Sequence, residues 1–84
     1  MNELDPNLLL QLVTMRMPFG KYEGRVLCNL PVSYLEWFER KGFPKGKLGG
    51  LLQTMHVIKT NGLEELLIPI KEIARKKAQE DRFK

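Results

Sequence analysis

Apolar residues recur at helical spacing in four stretches of this chain, and the gaps between them hold most of the glycines and prolines. Leu8, Leu9, Leu12 and Val13, with Met15 close behind, predict a first helix running to about Arg16. Asp5 followed by Pro6 suits its start, because a carboxylate can cap orphan amides and proline fits the first helical position. Met17-Pro18-Phe19-Gly20 ends it, since the residue before a proline is pushed towards an extended conformation. Gly20-Lys21-Tyr22-Glu23-Gly24 then joins this extended piece to Arg25-Val26-Leu27-Cys28. Two short extended pieces around a glycine-bounded connection predict a small antiparallel β-hairpin, with Gly24 at positive φ. An isolated hairpin is barely stable in water, so helices must cover one of its faces.

Asn29-Leu30-Pro31 predicts a turn into a second helix, with either Pro31 or Ser33 near its start. Tyr34, Leu35, Trp37 and Phe38 form a wide aromatic stripe on it, and Gly42 ends it. After the loop Phe43-Pro44-Lys45-Gly46, a third helix from about Lys47 places Leu48, Leu51, Leu52, Met55 and Ile58 on one face. Gly49 and Gly50 in its first turn each cost about 1 kcal/mol relative to alanine, tolerable where another backbone packs closely. Asn61-Gly62 closes this helix, as both residues accept the left-handed conformation. Leu63, Leu66, Leu67, Ile70, Ile73 and Ala74 then share a helical face. Pro69 interrupts it, and a break is favoured over a kink because proline suits the first turn of a new helix. The expected class is α+β: mostly helical, about four helices, with one small antiparallel hairpin.

With 84 residues, there is room for one domain only. No apolar run approaches the roughly 18–20 residues that span a bilayer, and Met1 opens onto Glu3 and Asp5 rather than a basic leader. The one cysteine, Cys28, excludes an internal disulfide and fits a reducing compartment. A cytoplasmic address is expected. Lys and Arg outnumber Asp and Glu by 14 to 10, a mild excess whose arrangement is uneven. No acid lies between Glu39 and Glu64, a stretch that holds Arg40, Lys41, Lys45, Lys47 and Lys59. Upstream, Arg16, Lys21 and Arg25 flank the glycine-bounded turn, opposed there only by Glu23. Clustered positive charge attracts polyanions, nucleic acid or an acidic partner surface, although lysines on a solvated surface give the same pattern.

Material for catalysis is poor. His56 is the sole histidine, and nothing in the spacing brings it to Cys28, so a nucleophile–base pair is not expected. Zinc takes about four soft ligands, which this chain cannot supply, so no metal is expected. Glu36 and Glu39 share a helix face at i, i+3, as solvated carboxylates commonly do. Gly42-Phe43-Pro44-Lys45-Gly46-Lys47-Leu48 resembles a nucleotide-binding loop but has too few residues between its glycines, and Leu48 replaces the magnesium-holding hydroxyl. What survives is a helix start with free amides beside Lys45 and Lys47. In the Gly20–Arg25 segment, glycines permit close approach, Lys21 and Arg25 bring charge, and Tyr22 could stack on a base. A plain tight turn explains the same residues. Tyr34, Trp37 and Phe38 are expected in the core, because so small a domain needs its large aromatics inside.

Met17-Pro18-Phe19-Gly20-Lys21-Tyr22-x-Gly24, then Leu30-Pro31-x-x-Tyr34-Leu35-x-Trp37-Phe38, resembles a small bacterial family labelled "putative quorum-sensing-regulated virulence factor". The likeness continues through Gly42-Phe43-Pro44-x-Gly46-Lys47-Leu48-Gly49 and Lys59-x-Asn61-Gly62-Leu63, about residues 15–70, leaving a charged C-terminal helix at 71–84. The Phe-Gly-Lys-x-x-Gly turn followed by Pro-x-x-Tyr-Leu-x-Trp is also similar to the C-terminal appendage of exodeoxyribonuclease X-like exonucleases. That second resemblance implies a DNA-handling module in which Lys21, Tyr22 and Arg25 contact nucleic acid. Phe19, Gly20, Gly24 and Pro31 would shape the motif, with Tyr34 and Trp37 supporting the turn from below.

The expectation is therefore a non-enzymatic module without cofactor, binding DNA or RNA through Lys21, Tyr22, Arg25, Arg40, Lys41, Lys45 and Lys47. It requires the two basic groups to converge. The alternative is a protein-interaction adaptor or homodimer built on the apolar face from Leu63 to Ala74.

Overall fold

Helix α1 spans Pro6–Thr14 and buries Leu9 and Leu12, two residues three apart on one face. The computed structural model describes residues 6–82, so the cap expected of Asp5 lies outside the described residues. Beyond α1 the chain makes a single antiparallel bridge, Arg16 with Val26. Three backbone bonds surround it: Leu27 N–H donates to Met15 (3.0 Å), Met17 N–H to Arg25 (2.8 Å) and Gly24 N–H to Met17 (2.8 Å).

This overturns the expected hairpin: there is no strand or sheet among the described residues, and the fold is helical rather than α+β. Pairing does not spread on one side because the Arg25 N–H turns back to donate to Tyr22, and the Met17 carbonyl accepts from Gly24 instead. On the other side Leu27–Asn29 curls into a 3-10 turn, closed by Leu30 N–H donating to Leu27. Burial drives that curl. Leu27, Cys28 and Leu30 are all buried, a spacing that one face of a strand cannot provide because neighbours alternate sides. Folded as a short helical wedge, all three enter the core beside α1 and α3.

Helix α2 spans Val32–Lys41 with Pro31 at its cap position, and its buried side chains are Leu35 and Phe38. Arg40 and Lys41 sit in its last turn, where positive charge complements the helix dipole. Gly42 leaves the helix at φ 105°, a conformation that disfavours any side chain. Helix α3, Lys47–Thr60, buries Leu51, Leu52, Met55 and Ile58. Asn61-Gly62 ends it in a paired reversal: Gly62 N–H donates to Lys59 and Leu63 N–H to Ile58.

Gly49 and Gly50 separate in role. A Cβ on Gly49 would stand 1.6 Å from the Pro44 carbonyl oxygen, so the loop backbone crosses directly over the first turn of α3. Gly50 faces open space. Across the same α2–α3 seam, Phe38 stacks with Phe43 (6.1 Å), Phe43 lies 6.2 Å from His56, and His56 Nε2 reaches Glu39 Oε2 at 3.0 Å.

A 3-10 turn, Glu64–Leu66, precedes α4, Leu67–Arg82, which places Pro69 in a first helical turn. Helix α4 packs on α1, with Leu67 buried and Ile70 partly so. Leu63, Leu66, Ile68 and Ile73 remain exposed. Because Leu63–Leu66 precede the α-helix, the six apolar positions do not form one continuous buried stripe.

The two helical glycines should respond oppositely to alanine. Gly49→Ala is expected to cost about 1–3 kcal/mol by overpacking against Pro44. Gly50→Ala should add about 0.5–1 kcal/mol by stiffening the unfolded chain. Equilibrium urea unfolding followed by far-UV circular dichroism measures both.

Candidate functional site

Met17 anchors the segment after α1 in the core at 1% exposure, Pro18 holds it extended, and Phe19 is exposed. Gly20 and Gly24 take positive φ, 81° and 88°, bounding a double turn. Within it Glu23 N–H donates to Gly20 and Arg25 N–H to Tyr22. The Arg16 guanidinium donates to the Gly24 carbonyl at 2.8 Å, holding the far end of the turn.

Tyr22 is the centre of this turn and is half-buried. Lys21 Nζ lies 5.6 Å and Arg25 Cζ 5.1 Å from its ring centroid, within cation–π range. The ring meets Tyr34 edge-on at 4.8 Å. Tyr34 in turn lies parallel to Trp37, 6.3 Å between centroids and 3° between planes, while Phe38 is edge-on to both. Close packing reaches Gly20 as well, where an added Cβ would come within 3.0 Å of the Tyr34 hydroxyl.

Turn and helix together enclose an open cleft of about 540 Å³. Phe19, Gly20, Lys21 and Tyr22 line it from the turn; Ser33, Tyr34, Trp37 and Phe38 line it from α2. Lys21 is the one charged residue in that lining, and no carboxylate shares it. Burial raises the Tyr34 hydroxyl above its ordinary pKa, and the nearby Tyr22 hydroxyl pushes the same way. Tyr34 therefore stays neutral in the folded protein well into alkaline solution.

Of the residues expected at a binding site, Lys21, Tyr22 and Arg25 gather around one ring at the cleft. Arg40 and Lys41 lie at the other end of α2, Lys45 in the following loop and Lys47 at the start of α3. All four are exposed, and none lines the cleft. Trp37, expected in the core, is 44% exposed, as is Phe19. The signal for this was in the spacing. Tyr34–Trp37 and Leu35–Phe38 are two i, i+3 pairs about 100° apart, and only one pair can point fully at the core.

The other candidates are quiet. Cys28 is buried, His56 is engaged by Glu39, and no group of three or more metal-ligating side chains exists among the described residues. No helix among them is long and apolar enough to cross a membrane.

A family described as "Putative quorum-sensing-regulated virulence factor" matches residues 5–70. The chain belongs to this family. The matched span begins at α1, ten residues before the start expected from the motifs, and contains the whole cleft. Two relatives named "Uncharacterized protein YpeB", from Escherichia coli strain K12 and from Escherichia coli O157:H7, are each 49% identical over 69 residues. Each match covers 81% of this chain and 96% of the relative. No solved structure matches the chain at a significant level. The likeness to exodeoxyribonuclease X-like appendages is not shown by these matches.

Two measurements probe the cleft's construction. Gly20→Ala should cost about 1–2 kcal/mol, from its positive φ and its crowding of Tyr34. The raised Tyr34 pKa gives stability that is complete below the unfolded tyrosine value near 10 and lost as pH rises through the folded value. Thermal unfolding of the native chain should thus fall more steeply above about pH 10 than that of Tyr34→Phe.

Proposed function

We propose that this chain is a non-enzymatic module that binds DNA or RNA through phosphate contacts, with little sequence discrimination. The observation that carries the reading is the pairing of Lys21 and Arg25 around Tyr22, at the edge of an aromatic cleft that no carboxylate lines. Phosphate contacts position a nucleic acid without reading its sequence, and the cleft offers few groups that could read base edges. Arg40, Lys41, Lys45 and Lys47 are exposed and none lines the cleft, so the reading rests on Lys21 and Arg25 in place of convergence of the two basic groups, and the other four would add outlying phosphate contacts. Glu23, exposed in the same turn, opposes binding. A cytoplasmic address and a role in quorum-sensing-regulated virulence complete the proposal, the latter from the family's description.

A second reading has its own observation. Leu63, Leu66, Ile68 and Ile73 leave 42–58% of their surfaces exposed, an apolar area that suits a protein partner or a second copy of the chain. A tight dimer in light scattering that ignores oligonucleotides would favour it.

Fluorescence anisotropy with labelled oligonucleotides tests the nucleic-acid reading. Each phosphate neutralised contributes about −0.7 to −0.9 to the slope of log affinity against log salt. Lys21→Ala with Arg25→Ala should therefore flatten that slope by about 1.4–1.8, and Glu23→Lys should tighten binding. Failure of single- and double-stranded oligonucleotides alike to bind at low salt rejects the reading.

A further inference from the structure

We infer that the cleft takes one unpaired nucleobase of a single strand, stacked on Trp37, with the adjoining phosphate on Lys21; this rests on the nucleic-acid reading of the same cleft. A large aromatic held at a wall of a cleft, rather than in the core, is the first ground. Trp37 and Phe19 each leave 44% of their surface uncovered, and both line the cleft. Their exposure is not looseness in the case of Trp37. Tyr34 lies parallel to the indole and Phe38 stands edge-on at 5.1 Å, so the plane of Trp37 is set before any ligand arrives. A preset aromatic plane lowers the ordering cost of stacking.

Size and polarity narrow the occupant. A volume of about 540 Å³ falls within the range of about 300–1,000 Å³ typical of small-ligand sites, and it is open enough for a chain to enter and leave. Paired bases inside a duplex keep both faces stacked, so an aromatic wall has nothing to grip there without unstacking. An unpaired base presents a free π-face. Besides Lys21, the polar groups of the lining are the Ser33 and tyrosine hydroxyls and the turn backbone, too few to distinguish bases strongly. Lys21 in the lining, with Arg25 behind Tyr22 and no carboxylate in the lining itself, favours an occupant with negative charge next to its planar group, although Glu23 stands in the same turn. A neutral proline-rich peptide could also lie on such rings, but would leave that charge unmatched.

Trp37 is the sole tryptophan, so its emission reports the cleft directly. The native chain is titrated at low salt with a mixed-sequence single-stranded oligonucleotide, with the duplex of the same sequence, and with a neutral proline-rich peptide. The single strand should quench Trp37 and bind at least about tenfold more tightly than the duplex, since stacking is added to the shared phosphate term. Trp37→Ala should weaken single-strand binding about 5- to 150-fold without changing the salt slope, and Trp37→Phe should recover most of the loss. Phe19→Ala keeps the reporter and should also weaken single-strand binding, with folding of each variant checked by circular dichroism. Equal affinity for strand and duplex, with Trp37 emission unmoved, overturns the base-stacking inference while leaving phosphate contact standing. No binding of either nucleic acid rejects both. Quenching by the peptide alone assigns the cleft to a protein segment and overturns the inference.

Discussion

Helix α2 must satisfy two apolar faces at once, and the rest of the molecule is arranged around how it does so. Leu35 and Phe38 enter the core, which rotates Tyr34 and Trp37 about 100° away from it. Tyr34 would be a liability there, a large ring with a hydroxyl beside solvent. The Gly20–Arg25 turn covers it. That turn needs two positive-φ glycines to fold back tightly, and at one of them, Gly20, an added Cβ would press on the Tyr34 hydroxyl at 3.0 Å. The cleft is thus a consequence of packing: the turn shields Tyr34 and half of Tyr22 but does not reach over Trp37.

A second constraint fixes how the loop after α2 crosses α3. The Pro44 carbonyl rests on Gly49, and no larger residue could stand there without moving the loop. This contact lets α3 bring Leu51, Leu52 and Met55 under Phe38 and the 3-10 wedge at Leu27–Asn29. Arg40, Lys41, Lys45 and Lys47 lie around this junction, whereas Lys21 and Arg25 sit at the cleft beside the first half of α2. Of the basic residues, Lys21 alone lines the cleft.

Helices α1 to α4 were legible in the sequence because helical periodicity is a local property, and each stretch repeats its apolar residues at the required interval. Gly42, Gly46 and Asn61-Gly62 marked ends for a reason equally local, the left-handed or otherwise open backbone that those residues accept. The charge pattern and the turn motif were visible as well, and with them Lys21, Tyr22 and Arg25. What misled was the segment Arg25–Cys28, whose composition suits a strand. Its neighbours along the chain could not reveal that Leu27, Cys28 and Leu30 would all be needed in the core, a demand that only a helical turn can meet.

The amino-acid order by itself determined the helices, their stops and the residues of the glycine-bounded turn, since each depends on interactions within a few positions. Tertiary structure alone decided three things: that the bridge at Arg16 and Val26 grows no further, that Trp37 faces a cleft instead of the core, and that Lys21 lines this cleft while Arg40, Lys41, Lys45 and Lys47 do not. Each of these is a choice between faces or partners that are equivalent locally. Only competition for a limited buried volume separates them.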